Sequence, residues 1–290
     1  MAGMFYPAQA ERCRAAATQL LQEARSVTAA KPLKFSSGAT GVLVPHAGWI
    51  CSGAIAAQGI AAAAARQPKP DVVVIFGAIH TPIPIDRSVL DSYARWAVPG
   101  GESRVSALLR DELAATGRRF AVDDRFHDHE HAVEVELPLI QAAWPSASIL
   151  PIETPPDGQA AETGQVVAAK LAQAGVSAVY LASSDLTHYG PNYGFTPAGL
   201  GESAIDWAMG NDRRLLELMT QMDPQRIVPE AVRHYNACGA GAIAAMMAAC
   251  QAGGARQAVV LHHTNSYQTL AAVAPQAPDN AVGYAAVMVG

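Results

Sequence analysis

Histidines stand directly after three separate apolar runs of the sequence. They are His46 after Gly41–Val44, His80 after Val72–Phe76 and His188 after Ala178–Ala182. An imidazole nitrogen can bind a metal or move a proton near neutral pH. Two neutral imidazoles form a site that suits iron, zinc, copper or nickel. We therefore expect His46 and His80 to be metal ligands, and we expect the three histidines to meet in one pocket.

A cysteine is the candidate for the third metal ligand. Cys238 lies between an Asn-Ala pair and two glycines, ahead of the alanine-rich run Gly241–Ala252. This pattern predicts a loop that opens into a helix, and a helix N-terminus lowers the pKa of a nearby thiol. The alternative is that Cys238 is a small buried residue that packs a tight loop.

The most polar segment of the chain is residues 126–136, which carries alternating histidines and glutamates. It lacks the HExxH pattern of zinc proteases. His131 and Glu134 are three residues apart, so they would be neighbours on a helix, and both are candidates for lining the pocket. Glu134 could instead open the helix that follows, and His127 and His129 could lie in a solvated acidic loop.

Asp185 and His188 are the candidates for acid–base chemistry. They are three residues apart, and one helical turn would place the carboxylate beside the imidazole that it orients. In the alternative, Asp185 caps a helix and His188 lies on the surface. The preceding serines, Ser183 and Ser184, lack the G-x-S-x-G pattern of a nucleophilic serine.

The elements that must position these residues alternate between two kinds. Runs with the composition of buried strands are Gly41–Val44, Val72–Phe76, Ser148–Ile152, Ala178–Ala182, Val259–Leu261 and Ala281–Val289. Segments of helical length and pattern are Ala54–Arg66, Val105–Ala115, Gln159–Ala174, Asn211–Met222, Pro224–His234 and Gly241–Ala252. This alternation predicts an α/β fold with a mostly parallel central sheet and helices on both faces, in a single domain over residues 1–290. Ligands of such sheets gather beyond the carboxyl ends of the strands.

Composition excludes several classes of function. The 290 residues carry 20 basic and 25 acidic side chains without a basic block, so a nucleic-acid partner is not expected. The four cysteines form no CxxC pair, and no GxGxxG or P-loop motif is present. The apolar runs are too short to span a membrane, which takes about 20 residues. We expect a cytoplasmic protein without a membrane partner.

Six motifs, kept in order along the chain, resemble the Memo family, whose bacterial members are called AmmeMemoRadiSam system protein B. They are Met4–Ala8, Pro45–Gly53, Gly77–His80, Glu130–Ile140, Ser183–Gly190 and Cys238–Gly239. The resemblance implies a fold related to the class III extradiol dioxygenases, which hold non-haem Fe(II) with two histidines and a carboxylate. It makes His46 and His80 the imidazole ligands and puts Cys238 in the place of the carboxylate. It also makes Asp185, His188 and His131 the catalytic residues.

Three hypotheses of function fit these residues. In the first, Fe(II) serves a dioxygenase that acts on an aromatic diol or a related small molecule, with Trp49, Tyr189 and Glu134 lining the substrate pocket. In the second, the cleft holds a metal, copper or iron, or a peptide, without turnover. Copper and zinc are the alternative metals because a thiolate is softer than a carboxylate. A zinc hydrolase is a third option, with Glu134 as its only candidate base.

Overall fold

The computed structural model describes residues 1–29, 35, 38–117, 119–271, 273–275 and 277–290. Its strands are β1 Thr40–Val44, β2 Val72–Gly77, β3 Ser88–Leu90, β4 Arg95–Val98, β5 Gly101–Arg104, β6 Phe120–Val122, β7 Ser148–Glu153, β8 Ala178–Ser183, β9 His188–Tyr189, β10 Ala258–Asn265 and β11 Ala281–Val289. Its helices are α1 Ala10–Ala29, α2 Trp49–Arg66, α3 Ala107–Ala114, α4 Leu137–Ala143, α5 Ala160–Ala174, α6 Glu202–Thr220, α7 Pro224–His234, α8 Ala240–Ala252 and α9 Ser266–Leu270.

The centre of the molecule is a nine-stranded sheet in the order β10-β11-β1-β8-β2-β7-β3-β6, with β9 attached to β11. Strands β1, β8, β2 and β7 run parallel, whereas β11 is antiparallel to β1. All four parallel strands therefore end at the same edge of the sheet. The register pairs Val44 with Ser183 and Phe76 with Ala182, so the segments after β1, β2 and β8 start side by side.

The two largest hydrophobic clusters of the described residues lie on opposite faces of this sheet. Alternate residues of one strand point to opposite faces, and Leu43 packs in one core while Val42 packs in the other. Helices α5 and α8 belong to the first core, and α1, α2 and α4 belong to the second. The predicted fold class, a mostly parallel sheet with helices on both faces, is confirmed.

Helices α5 and α8 approach each other closely because of one glycine. A Cβ atom on Gly164 would overlap the backbone carbonyl of Ala245 in α8. Small residues let two helix backbones pack at short distance, and the alanine-rich α8 is buried from Ala240 to Cys250. The contact holds α8 against the sheet, and with it the loop that precedes α8. None of the helices in the described part of the chain has the length and apolar character needed to cross a membrane.

Candidate metal centre and adjoining cavity

His46 is held in the loop after β1 by both its backbone and its ring. The side chain is 1% exposed. Its backbone N–H donates to Asp185 Oδ1 at 2.9 Å, and its ring Nδ1 lies 2.9 Å from Ser183 Oγ. Burial, aided by the neighbouring rings of His131 and His80, holds the pKa of His46 well below its ordinary value. His46 is therefore neutral at physiological pH.

His80, in the loop after β2, is held by the buried carboxylate of Glu130. The His80 backbone N–H donates to Glu130 Oε2 at 2.6 Å, and its ring Nδ1 donates to Oε1 at 2.8 Å. Oε1 also accepts the backbone N–H groups of His131 at 2.7 Å and Ala132 at 3.1 Å. Burial alone would raise the pKa of Glu130, but hydrogen bonds from His131 and His80 outweigh it and lower that pKa. Glu130 is therefore an anion that fixes the orientation of His80.

The ring of His131 completes a compact group of three imidazoles. It stacks on His80 with ring centroids 4.6 Å apart and meets His46 edge-on at 4.9 Å. Its Nδ1 lies 3.2 Å from Glu130 Oε1. One nitrogen of each ring lies within 4.8 Å of the other two, so the three histidines could hold a metal ion.

Cys238 lies on another side of the same group. It precedes α8 by two residues, and its Sγ is 3.3 Å from His46 Nε2. Its backbone N–H donates to the Asp185 carbonyl at 3.3 Å. Burial would lower the pKa of His80, but hydrogen bonds to Cys238 and Glu130 raise it to about 10. The structure thus brings together the predicted ligands His46, His80 and Cys238, and it adds His131 as a further imidazole donor.

A cavity of about 750 Å³ adjoins the centre, and both Cys238 and His188 line it. Its wall is otherwise largely aromatic and apolar, with Tyr193, Phe195 and Tyr235 among the lining residues. Tyr235 is 68% exposed and Tyr193 is 45% exposed, so these side chains form an accessible rim. The cavity gives a small molecule a path to the thiol and to the His188 imidazole.

The Memo-like family model matches residues 1–288 of the chain. The chain belongs to this family. It is 31% identical to a MEMO1 family protein of Methanococcoides burtonii over all of this chain and 98% of that protein. It is 32% identical to one of Methanosarcina barkeri over 86% of each chain. The crystal structure of an uncharacterized Escherichia coli K12 protein has a TM-score of 0.49 and 12% identity, covering 87% of this chain and all of that one.

Asp185 and His188 do not form the helical pair expected from their spacing. The segment forms the short strand β9 instead, and Asp185 accepts the backbone N–H of His46. His188 Nδ1 lies 3.2 Å from the Leu186 carbonyl, which can only accept, so Nδ1 carries the proton and Nε2 is free. Burial lowers the pKa of His188, which keeps the ring neutral.

Tyr189 was expected in the pocket wall, and the structure corrects this. Neighbouring residues of a strand face opposite sides, so the cavity-facing position of His188 sends Tyr189 into the interior. Tyr189 is fully buried, donates its hydroxyl to the Gly199 carbonyl at 2.9 Å and packs against α6. Tyr193 occupies the cavity side instead, with its ring centroid 5.1 Å from that of His188.

Trp49 and Glu134 lie against the N-terminal segment of this Memo-family chain rather than at the cavity beside Cys238. The Trp49 indole donates to the Val135 carbonyl at 3.2 Å, and its ring centroid lies 5.7 Å from that of Tyr6. Glu134 accepts the Tyr6 hydroxyl at 2.6 Å and pairs with the terminal amine of Met1 at 3.1 Å. Trp49 lines a separate surface cavity of about 700 Å³ there.

The remaining histidines of interest have other neighbours. His127 was expected in a solvated loop, but it is buried with Nδ1 3.8 Å from Glu153 Oε1, whereas His129 is exposed. In β10, His262 contacts Gln58 at 3.1 Å and His263 contacts Asp212 at 3.0 Å. The two point to different partners, as adjacent strand residues should.

Sequence reasoning missed two groups that hold the centre, Glu130 and Ser183. Glu130 stands between two histidines, and such a carboxylate is the usual partner of a metal-ligating imidazole. Ser183 ends β8, at the edge of the sheet where the histidines were expected. The rule that ligands gather beyond strand ends could have selected Ser183 as well. Tyr193 follows no strand that the sequence predicts.

Proposed function

We propose that this chain is a metal-dependent enzyme, a non-haem Fe(II) dioxygenase that acts on an aromatic diol or a related small molecule. The observation that supports it is the group of three imidazoles, with nitrogens within 4.8 Å of one another, beside a cavity that a neutral fourth imidazole lines. Imidazole suits iron as well as copper, zinc and nickel.

The donor set fits a first-row divalent metal. His46 and His80 both use Nδ1 for a bond within the protein, to Ser183 and Glu130, which leaves Nε2 for the centre. The third donor is His131 or Cys238. The two carboxylates that touch this group, Glu130 and Asp185, are engaged by N–H donors. The proposed site therefore differs from the two-histidine, one-carboxylate set of the extradiol dioxygenases.

His188 is the residue to which the proposal assigns proton transfer. Its free Nε2 and lowered pKa suit a base that accepts a proton from a phenolic hydroxyl. Tyr193 and Phe195 provide flat apolar surfaces against which an aromatic ring can pack. The bound ferrous ion would supply the one-electron chemistry with O₂. Both oxygen atoms enter the ring-opened product and the diol supplies the electrons, so no separate reductant is needed.

The test is oxygen consumption by protein loaded anaerobically with Fe(II). With full iron occupancy, an oxygen electrode should record uptake with at least one member of a catechol series. His188→Gln should retain iron, because the proposed ligands are unchanged, and lose about 10²–10⁴-fold in rate. Oxygen uptake with no diol at full iron occupancy would refute the dioxygenase proposal.

A second candidate function is metal holding without turnover, and the position of Cys238 favours it. A thiol 3.3 Å from His46 Nε2 makes the donor set softer than one of imidazoles and carboxylates. Such a set suits copper. Calorimetric copper binding that Cys238→Ala abolishes, in a protein that consumes no diol, would support this candidate over the enzyme.

A further inference from the structure

Ser183 joins two of the segments that carry the three imidazoles. It is the last residue of β8 and is fully buried. Its Oγ lies 2.9 Å from His46 Nδ1 and 2.6 Å from the backbone carbonyl oxygen of Ala132, the residue after His131. One hydroxyl therefore bonds both the loop after β1 and the segment that carries His131.

The single proton of the Ser183 hydroxyl determines which nitrogen of His46 carries a proton. Ser183 has one proton to donate, and the Ala132 carbonyl can only accept. Two oxygen atoms 2.6 Å apart need a proton between them, so the Ser183 proton points to Ala132. The contact with His46 is then a bond that Ser183 accepts, and Nδ1 of His46 must be the donor.

A neutral imidazole carries one N–H, so a proton on Nδ1 leaves the lone pair on Nε2. Nε2 is the nitrogen that faces Cys238 at 3.3 Å. We infer that Ser183 is a positioning residue, which fixes His46 in the Nδ1–H tautomer and presents its Nε2 lone pair to the centre. That this lone pair serves a metal rests on the proposed function, whereas the tautomer does not.

The same hydroxyl fixes the orientation of the ring. The Ser183 bond and the backbone bond from His46 to Asp185 hold the residue at two points. Both bonds end on residues of β8 or of the loop that follows it. The position of the imidazole is therefore fixed relative to β8 and does not depend on its own loop alone. Glu130 has the equivalent role for His80, with a carboxylate in place of the hydroxyl.

The experiment is nitrogen NMR on metal-free protein labelled with ¹⁵N-histidine, in which His46 is assigned by the loss of its signals in His46→Gln. The wild type should show Nδ1 protonated and Nε2 unprotonated. Ser183→Ala should shift His46 towards the Nε2–H tautomer, and Ser183→Thr, which keeps the hydroxyl, should restore the wild-type pattern. Ser88→Ala, which removes another buried serine hydroxyl, should leave the His46 signals unchanged.

The wild-type spectrum decides the question even if Ser183→Ala fails to fold. A wild-type His46 with its proton on Nε2 would overturn the inference, and so would a folded Ser183→Ala with the wild-type pattern. A zinc titration separates this inference from the proposed function. Where the wild type binds zinc, Ser183→Ala should bind it about 10–100-fold more weakly. A wild type that shows the Nδ1–H tautomer but binds no metal would refute the metal centre and support the inference about Ser183.

Discussion

The Glu130 carboxylate is the group whose loss should weaken the centre most, and Glu130→Gln tests this without changing the side-chain shape. Oε1 accepts three N–H groups and Oε2 accepts one. Glutamine keeps one acceptor oxygen and replaces the other with an NH₂ group. In the better of its two orientations the NH₂ group faces the backbone N–H of His80, which leaves that partly buried donor without its acceptor.

The cost can be worked from these four bonds. One unpaired buried donor costs about 1–3 kcal/mol, and a bond to a neutral acceptor is worth roughly 1 kcal/mol less than a bond to an anion. The His80 donor is partly buried, so its cost lies near the low end of that range. With three further bonds weakened, we expect the free energy of unfolding to fall by about 4 kcal/mol. The ring of His80 loses the carboxylate that orients it, and metal affinity should fall about 10–100-fold.

Urea unfolding followed by circular dichroism measures the first quantity, and calorimetric zinc titration of the folded protein measures the second. Glu134→Gln is the matched control, since it is the same substitution four residues away on a partly exposed side chain that bonds Tyr6 and the terminal amine. We expect this control to change stability by about 1 kcal/mol or less and to leave zinc affinity unchanged. A Glu130→Gln protein with wild-type stability and zinc affinity would refute the role assigned to this carboxylate.

Two further predictions concern the scaffold. Gly164→Ala should destabilise the fold by about 1–3 kcal/mol because the added methyl overlaps the Ala245 carbonyl. Gly210→Ala in α6 is the control, since a Cβ there meets nothing within 4 Å, and it should stabilise the fold by up to about 1 kcal/mol. Urea midpoints that rank the two variants the other way would contradict the close approach of α5 and α8. Burial is the main cause that raises the pKa of Asp91 from 3.8 to about 6, so the folded state binds the proton more tightly and the wild type should lose about 3 kcal/mol of stability as pH rises from about 4 to 6. Asp91→Asn should lack this loss in unfolding curves taken at pH 4 and pH 7, and equal pH dependence in both proteins would contradict it.

The sheet was predictable because its central strands are apolar on both faces. Each of the six predicted runs is a strand, and β2 extends only one residue beyond Val72–Phe76. The short strands β3 to β6 escaped prediction because three or four residues leave no periodicity to detect. Helix α2 begins at Trp49, five residues before the predicted start at Ala54. The prediction followed the alanine-rich run, and the mixed residues Trp49–Gly53 that precede this run carry no comparable helical pattern.

The site was predictable to the extent that it depends on strand ends. His46 lies close to both His80 and Cys238, and the parallel register explains this for the two histidines. That Cys238 is a metal ligand stays a prediction, since the group that could hold a metal consists of His46, His80 and His131. The position of Tyr189 was not predictable, because β9 is a two-residue strand that exists only through its pairing with β11. The spacing of Asp185 and His188 suggested a helical turn, which would place these two side chains next to each other. In the strand that forms instead, His188 and Tyr189 point to opposite sides.

The hydrogen bonds of the centre limit how many protons its three imidazoles can bind together. Nδ1 of His46 and of His80 are both committed to the protein, so their Nε2 atoms face a shared space. Hydrogen bonds to Cys238 and Glu130 raise the pKa of His80 to about 10, so His80 holds one proton, whereas burial keeps His46 neutral. A second proton would place two imidazolium rings about 5 Å apart, which costs about 3 kcal/mol at an effective dielectric constant of 20. A divalent cation can instead accept a lone pair from all three rings at once. The three histidines could therefore hold a metal ion, and binding of a metal would release the His80 proton.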